Sequence, residues 1–482
     1  MIETLLDEGT FVSWDEAPVD VHPAPSYEAD LRKARERTGF DEAVRTGEGG
    51  LRGRRVAVMA CEFGFLGGSI GVAAGERLVR AVERATAERL PLIALPASGG
   101  TRMQEGTVAF LQMVKITAAV VAHRQAGLPY LVYVRSPTTG GVYASWGSLG
   151  QLTFAEPGAL IGFLGPRVYR ALHGSDFPPG VQTAENLKTL GLVDAVVPPD
   201  QLPALLDRAL SVISDGRSGS VIRPPAGTDQ ADNLPIWESV QRSRSQGRPG
   251  VRSLLRWAGT DVVQTGSDVV LALVRFSGRP CVLIGQDRHA TPGPLALRTA
   301  RRGMRLAAEL GLPLVSVIDT PGAELSAEAE EGGLAGEIAG CIADLVALPV
   351  PTVSVLLGQG SGGAALALLP ADRVIGARHS WLAPLPPEGA SAIVYRDLDH
   401  ASELAAAQGI GISTLVASGI ADRIVEEYGP DDPVHFCRRI GAAVGAELDH
   451  LGAETADERL RSRLARYRGI GLEDHQQQGV GV

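Results

Sequence analysis

The segment at residues 88–100, ERLPLIALPASGG, returns 222 residues later as LGLPLVSVIDTPG at 310–322, with Leu90-Pro91-Leu92 falling on Leu312-Pro313-Leu314 and Gly100 on Gly322. The same shift carries Pro129 onto Pro351 and the adjacent glycines Gly140 and Gly141 onto Gly362 and Gly363. Upstream, GRRVAVMA matches GRPCVLIG at a shift of 225, and downstream GLVDAVV at 191–197 matches GIADRIV at 419–425 at a shift of 228, as small loop insertions would give. Matches in order and nearly in register constrain the fold before any propensity does: the chain reads as two copies of one plan.

Each copy alternates short apolar runs with helical patterns. In the first, VAVMACEF, LPLIALPA and LPYLVYV have strand length, and GERLVRAVERATAE and VAFLQMVKITAAVVAHRQA carry apolar residues at helical spacing. This alternation predicts βαβ units, hence an α/β fold with a largely parallel sheet and right-handed crossovers. Pro96 predicts that its strand is an edge strand or is already leaving the sheet. Residues 213–235, rich in Gly, Ser, Pro and Asp, read as a linker, and the first 24 or so residues and the tail EDHQQQGVGV as weakly anchored ends.

With 482 residues, 45% apolar and 21% charged, there is chain enough for more than one core. The acidic opening MIETLLDEGT is not a secretory signal and no uninterrupted apolar run approaches a membrane span, so a cytoplasmic protein without membrane contact is expected. Cys61, Cys281, Cys341 and Cys437 stand singly, without a C-x-x-C pair, and the nine histidines show no metal-ligand spacing; no metal site is expected. A net charge of -10 argues against nucleic acid as the main partner.

The two glycine pairs each follow a β-branched apolar run and precede a small-residue stretch, SPTTGGVYAS and GQGSGGAALAL. At a strand-to-helix junction a glycine admits unusual backbone angles and close ligand approach. The helix start adds free N–H groups and about half a unit of positive charge, a setting for an oxyanion. Two other motifs compete: GGSIG at 67–71 fits the G-x-S-x-G nucleophile elbow with Ser69, without identifiable partners, and GQGSGG at 358–363 fits G-x-G-x-x-G but does not open a dinucleotide fold.

FLGGSIG (65–71), SGGTRMQEG (98–106), SPTTGGVYAS (136–145), ALIGFLGPRV (159–168) and FPPGVQTAENL (177–187) closely resemble the β subunit of the bacterial acetyl-CoA carboxylase carboxyltransferase. IDTPGA (318–323), GQGSGGAALAL (358–368) and PPEGASAIVYRD (386–397) resemble its α subunit. The resemblance spans roughly residues 27–430 and describes a fused β–α chain. It implies two tandem crotonase-like ββα superhelix domains, organised as an N-terminal extension (1–26), a β-like domain on the acyl-CoA side (27–212), the linker (213–235), an α-like domain on the carboxybiotin side (236–450) and a C-terminal tail (451–482).

The family's reaction moves a carboxyl group from carboxybiotin, carried by a separate protein, to the α-carbon of acetyl-CoA or a related acyl-CoA. By that resemblance Gly140 and Gly141 match an oxyanion hole for the thioester enolate, and Gly362 and Gly363 one for the biotin ureido oxygen. Phe65, Gly67, Gly68 and Ser69, with Ser98, Gly99, Gly100 and Arg102, resemble segments lining the CoA channel; Arg102 and Arg167 are candidates for a CoA phosphate. Asp319 and Glu324 are expected to orient a loop or cap a helix. Partners implied are a biotin carboxyl carrier protein and a biotin carboxylase, because the chain has no Met-Lys-Met biotinylation site. A homodimer or larger assembly is implied, with the active site between different protomers. The four-cysteine zinc ribbon that usually opens the family's β subunit has no counterpart, and DTPGAELSAEAEEGGLAGEIA and HATPGPL depart from the family's usual α versions. Two rival readings remain: a biotin-independent decarboxylase of malonyl-CoA or another malonyl thioester, and a non-catalytic acyl-CoA-binding scaffold. Tyr143 and Trp146 are expected to shorten the acyl pocket.

Overall fold

The computed structural model describes residues 1–21, 23–216, 234–266, 268–428 and 432–470. Most of the expected linker, and the tail after residue 470, lie outside the described residues. The chain divides into two compact units, Met1–Ser211 and Val212–Val482.

Unit 1 contains strands β1 (Val12–Ser13), β2 (Val44–Leu51), β3 (Arg54–Cys61), β4 (Leu92–Leu95), β5 (Tyr130–Val134), β6 (Thr138–Thr139), β7 (Leu152–Ala155), β8 (Ile161–Gly162) and β9 (Ala195–Val196). Seven form a sheet in the order β1-β2-β3-β4-β5-β7-β9, antiparallel at β1-β2-β3 and parallel thereafter; β6 and β8 pair separately. Strands β4 and β5 are buried along their whole length, as continuous apolar runs at the centre of a parallel sheet should be.

Unit 2 contains β10 (Gly259–Thr265), β11 (Val269–Phe276), β12 (Arg279–Gln286), β13 (Leu314–Thr320), β14 (Thr352–Ser361), β15 (Arg373–Ala377), β16 (Trp381–Ala383) and β17 (Arg423–Val425). Its sheet runs β10-β11-β12-β13-β14-β15-β17, with β16 on the end of β14. The sequence repeat is a repeat of register: Leu92 pairs with Tyr130 and Leu314 with Thr352, each 222 residues on. The turns repeat too. Arg52-Gly53 and Ser277-Gly278 both have positive φ at both residues, the two-residue hairpin geometry that matches strand twist.

Helices cover both faces of the unit 2 sheet. A methyl on Gly303, in helix Pro294–Leu310, would lie 2.4 Å from Ile284, and one on the adjacent strand residue Gly285 would lie 2.5 Å from Val251 of helix Val251–Ala258. In unit 1, helix Val72–Ala87 packs on β2, β3 and helix Gly106–Gln125. The stretch Met103–Gln125 has the length and apolar composition of a bilayer span; here Ala109, Met113, Ile116 and Val120 are buried in the unit, and Phe110, Leu111 and Val114 stay exposed.

One expectation is corrected, and another is resolved between its two alternatives. Residues near the N-terminus are anchored: Ile2, Leu5 and Leu6 are buried, β1 joins the sheet edge, and the Asp7 carboxylate accepts hydrogen bonds from the Arg52 and Gly53 amides at 3.0 and 2.8 Å. The strand before Pro96 is central, not an edge; it ends at Leu95, so proline stands where the chain leaves the sheet.

Unit 2 is closed by helix Ala456–Gly469, whose Arg463 is fully buried. Its guanidinium bonds both oxygens of buried Asp372 at 2.9 Å and the carbonyls of Leu345 and Leu348. Removing one partner of such a pair strands the other charge, so Arg463→Ala is expected to destabilise unit 2 by about 3–5 kcal/mol in urea denaturation of the whole chain. A loss below about 1 kcal/mol would mean that the pair behaves as a surface ion pair does.

Candidate active site

Parallel strands β3, β4 and β5 end at the same edge of unit 1, and the loops leaving them meet backbone to backbone. Gly67 and Gly68 take φ of 67° and 63°. A methyl on Gly68 would lie 2.2 Å from the Ala97 carbonyl oxygen, so only glycine fits. Buried Ser98 is the crosspiece: its hydroxyl donates to the Gly68 carbonyl at 2.6 Å and accepts from the Gly100 N–H at 3.0 Å. Gly99 donates to the Gly67 carbonyl at 2.9 Å, and Thr139 to the Ser98 carbonyl at 2.8 Å. A methyl on Gly100 would lie 3.3 Å from the Gly141 nitrogen, and one on Gly140 equally close to the Gly99 carbonyl. Gly67, Gly68, Ser69, Ser98, Gly99, Gly100, Gly140 and Gly141 thus form one wall. The Ser69 hydroxyl donates to the Leu66 carbonyl at 2.8 Å, which commits it to its own loop.

The two glycines of the first pair divide the work. Gly140, at φ 61°, turns the chain and spends its N–H on the Phe163 carbonyl at 2.9 Å. Gly141 lies in the first turn of helix Gly140–Tyr143, where N–H groups have no intrahelical acceptor. Behind it stand Met113 and Thr101: a methyl on Gly141 would lie 3.2 Å from Met113 Cγ and 3.1 Å from Thr101 Oγ1.

Three sequence expectations are placed differently. Phe65 is fully buried in a cluster with Tyr27, Leu31, Ala34 and Ala43, and supports its loop from below. Arg102 is 1% exposed, and its guanidinium is engaged by Glu42, the Tyr27 hydroxyl and the Ser69 carbonyl, so it does not face a solvent-borne phosphate. Trp146 is wholly in the core, its carbonyl accepting from the Tyr130 hydroxyl, and Met113 is the side chain that backs Gly141 instead. Arg167 lies in helix Pro166–His173, with its side chain outside the described residues. Glu42 and Tyr27 had no signal in the sequence, being 60 and 75 residues from the arginine they hold.

Unit 2 repeats the glycine positions but not the crosspiece: the Thr320 hydroxyl donates to the Gly322 carbonyl at 3.0 Å, within its own loop. Thr320, at the position of Ser98, accepts from the Gly322 N–H at 3.2 Å. Gly322 and Gly362 have φ of 144° and 66°. The Ser361 hydroxyl, buried just before the pair, has no hydrogen-bond partner among the described residues, a feature that leaves it open to a ligand. Fully buried Asp319 accepts from the Gln359 N–H at 3.0 Å; burial raises its pKa, and the Arg288 guanidinium partly offsets that. Glu324 accepts from the Ser326 hydroxyl, which caps helix Ala327–Glu331. Sequence reasoning missed Arg244, which binds Glu388 of the PPEGASAIVYRD segment at 2.6 and 3.1 Å and reaches Gln359 at 3.1 Å, tying that segment to β14 beside the second pair. The Arg244 hydrogen bond lowers the Glu388 pKa, so this tie is ionic at neutral pH.

Residues 2–196 match the family described as carboxyl transferase domain, and residues 227–471 that described as acetyl co-enzyme A carboxylase carboxyltransferase-like. A probable biotin-dependent acyl-coenzyme A carboxylase beta3 subunit of Mycobacterium tuberculosis is 62% identical over 97% of both chains. The acetyl-coenzyme A carboxylase carboxyl transferase subunits beta/alpha of Salinispora arenicola are 38% identical, over 97% of this chain and 89% of theirs. Among solved structures, the transcarboxylase 12S hexamer is similar in fold, with a TM-score of 0.76 at 20% identity over 94% of this chain and 88% of that one. The two tandem crotonase-like domains expected from the sequence are therefore the fold of this chain.

Gly68→Ala, with its methyl aimed at a backbone carbonyl, is expected to spread the wall and lower turnover by about ten- to a hundredfold. Gly67→Ala, which meets nothing within 4 Å, should lose markedly less. Steady-state rates of the two variants, measured beside their melting temperatures, check the order.

Proposed function

Since the chain belongs to the carboxyltransferase family of the acyl-CoA carboxylases, and is an acyl-CoA carboxyltransferase, we propose that it carries a carboxyl group from carboxybiotin to the α-carbon of acetyl-CoA or a related short acyl-CoA. The observation that carries this reading is a motif present twice in one chain: a Ser or Thr whose hydroxyl accepts from the N–H two residues on, a positive-φ glycine at that place, and a glycine pair that opens a helix. A reaction that develops two anions, an enolate and a ureido anion, calls for two such places.

In this reading the Gly141 N–H meets the thioester oxygen as the α-proton leaves. Such a preorganised donor is worth roughly 100- to 1000-fold in rate. Gly67, Gly68, Ser69, Ser98, Gly99 and Gly100 shape the wall along which CoA lies. Gly362 and Gly363, with the Ser361 hydroxyl, hold the biotin side. Carboxybiotin, when its carrier delivers it, supplies the transferable carboxyl group and a ureido nitrogen able to take the proton. No side chain is then needed as general base.

The partners are a biotin carboxyl carrier protein and a biotin carboxylase, in keeping with the biotin-dependent relatives. Four free, buried cysteines suit a reducing, cytoplasmic setting. Each unit also leaves an apolar face: Phe110, Leu111 and Val114 in unit 1, and Ile393, Val394 and Leu398 in unit 2. Exposed patches of this kind mark association surfaces, and the hexamer assembly of the transcarboxylase 12S neighbour supports a homodimer or larger.

Incubated with malonyl-CoA, the purified protein should form acetyl-CoA only when biocytin or a biotinylated carrier is present. Equal rates without biotin would move the assignment to a biotin-independent decarboxylase and remove the role of Gly362 and Gly363; no turnover under either condition would favour a scaffold. In light scattering, Val114→Glu or Ile393→Glu is expected to shift the assembly to smaller species. An unchanged mass for both would exclude these faces.

A further inference from the structure

We propose that the N-terminal helix Pro25–Thr38 is a strap that sets acyl-CoA affinity, with Tyr27 and Glu42 as positioning residues that act through Arg102 and Glu105 on the glycine wall of unit 1. The proposal rests on the reading of that wall as the acyl-CoA site.

Four buried groups join three stretches of chain. Tyr27 donates its hydroxyl to a Glu105 oxygen and accepts from Arg102 Nη1 at 3.2 Å. Arg102 grips both oxygens of Glu42, which follows the strap, and donates to the Ser69 carbonyl at 2.7 Å. The other Glu105 oxygen accepts from the Val72 N–H at 2.6 Å, at the start of helix Val72–Ala87. The strap therefore fixes the loop that carries Gly67, Gly68 and Ser69 and the loop that carries Gly99 and Gly100, one on each side of the Ser98 crosspiece. Burial, reinforced by Glu105, raises the Tyr27 pKa and keeps its hydroxyl a donor.

The internal repeat shows that the fold does not require this device. In unit 1 the two loops are joined by Arg102 N–H to the Ile70 carbonyl, and in unit 2 the equivalent residues 222 positions on make the same bond, Glu324 N–H to Pro292. Unit 2 makes that junction without a buried arginine: its Glu324 is half-buried and bonded to Ser326. At this junction a buried ion pair with two further polar partners, costly to desolvate, is thus kept in unit 1 only. What distinguishes that half is its ligand.

Tyr27→Phe keeps the ring that packs on Leu31 and Phe65 and removes only the hydroxyl. In the whole protein, assayed with malonyl-CoA as carboxyl donor and biocytin as acceptor, it is expected to raise KM for malonyl-CoA by about fivefold or more, leaving kcat and the biocytin KM within about twofold. Leu31→Ala, which removes packing from the same helix without touching the network, should lower Tm and leave KM unmoved. If Tyr27→Phe behaves as Leu31→Ala does, or leaves both KM values at the wild-type level, the strap is structural only and the proposal is overturned. A shift confined to the biocytin KM would instead overturn the assignment of acyl-CoA to unit 1, and the proposal as stated with it.

Discussion

The main chains of three loops touch at the C-terminal edge of the unit 1 sheet, and the candidate site there is built on that approach. Parallel strands bring three loop starts to one edge, but a side chain at Gly68, Gly100 or Gly140 would hold the loops apart. With the glycines in place, one hydroxyl, from Ser98, spans two loops and satisfies a donor and an acceptor that would otherwise be stranded. The resulting wall is rigid because it is backbone, which is the condition for a donor to be in place before charge develops.

Unit 2 keeps the glycines but not this contact, since a methyl on Gly322 would come no closer than 3.9 Å, to the Ser361 hydroxyl, and its surroundings have changed. Ala97 in unit 1 stands where unit 2 has Asp319, and Arg102 where it has Glu324. In unit 1, β5 ends at Val134 and the chain resumes pairing at Thr138, whereas β14 runs unbroken to Ser361. Around the second pair an ionic lattice gathers instead, with Arg248 bonded to both oxygens of buried Glu427, Arg288 to the Arg248 carbonyl, and Arg244 to Glu388. One scaffold thus surrounds its two glycine pairs with two different electrostatic settings.

Much of this was legible in the sequence because it depends on local, repeated chemistry. The strands at Leu92 and Leu314 are short apolar runs at fixed distance from a glycine, and the glycine pairs mark turns that few other residues can make. The anchored N-terminus was not legible, since Asp7 acts on amides 45 and 46 residues away and short polar stretches look alike whether bonded or free. Arg102 and Trp146 were misplaced for a related reason. A motif shared with a family tells which residues lie near a site, but not which face outward; burial is decided by Glu42 in one case and by the core around Tyr130 in the other.

Arg463 has a consequence in time as well as in space. Asp372 sits at the head of β15, in the body of unit 2, and its charge is met by a residue 91 positions later in the chain. During synthesis unit 1 has all its residues by Ser211 and can close as domains do, N-terminal first. Unit 2 comes later: until Arg463 leaves the ribosome, the Asp372 carboxylate has the Thr352 amide and hydroxyl but no cation, so the sheet that carries the second glycine pair gains this counter-charge only with the last described helix.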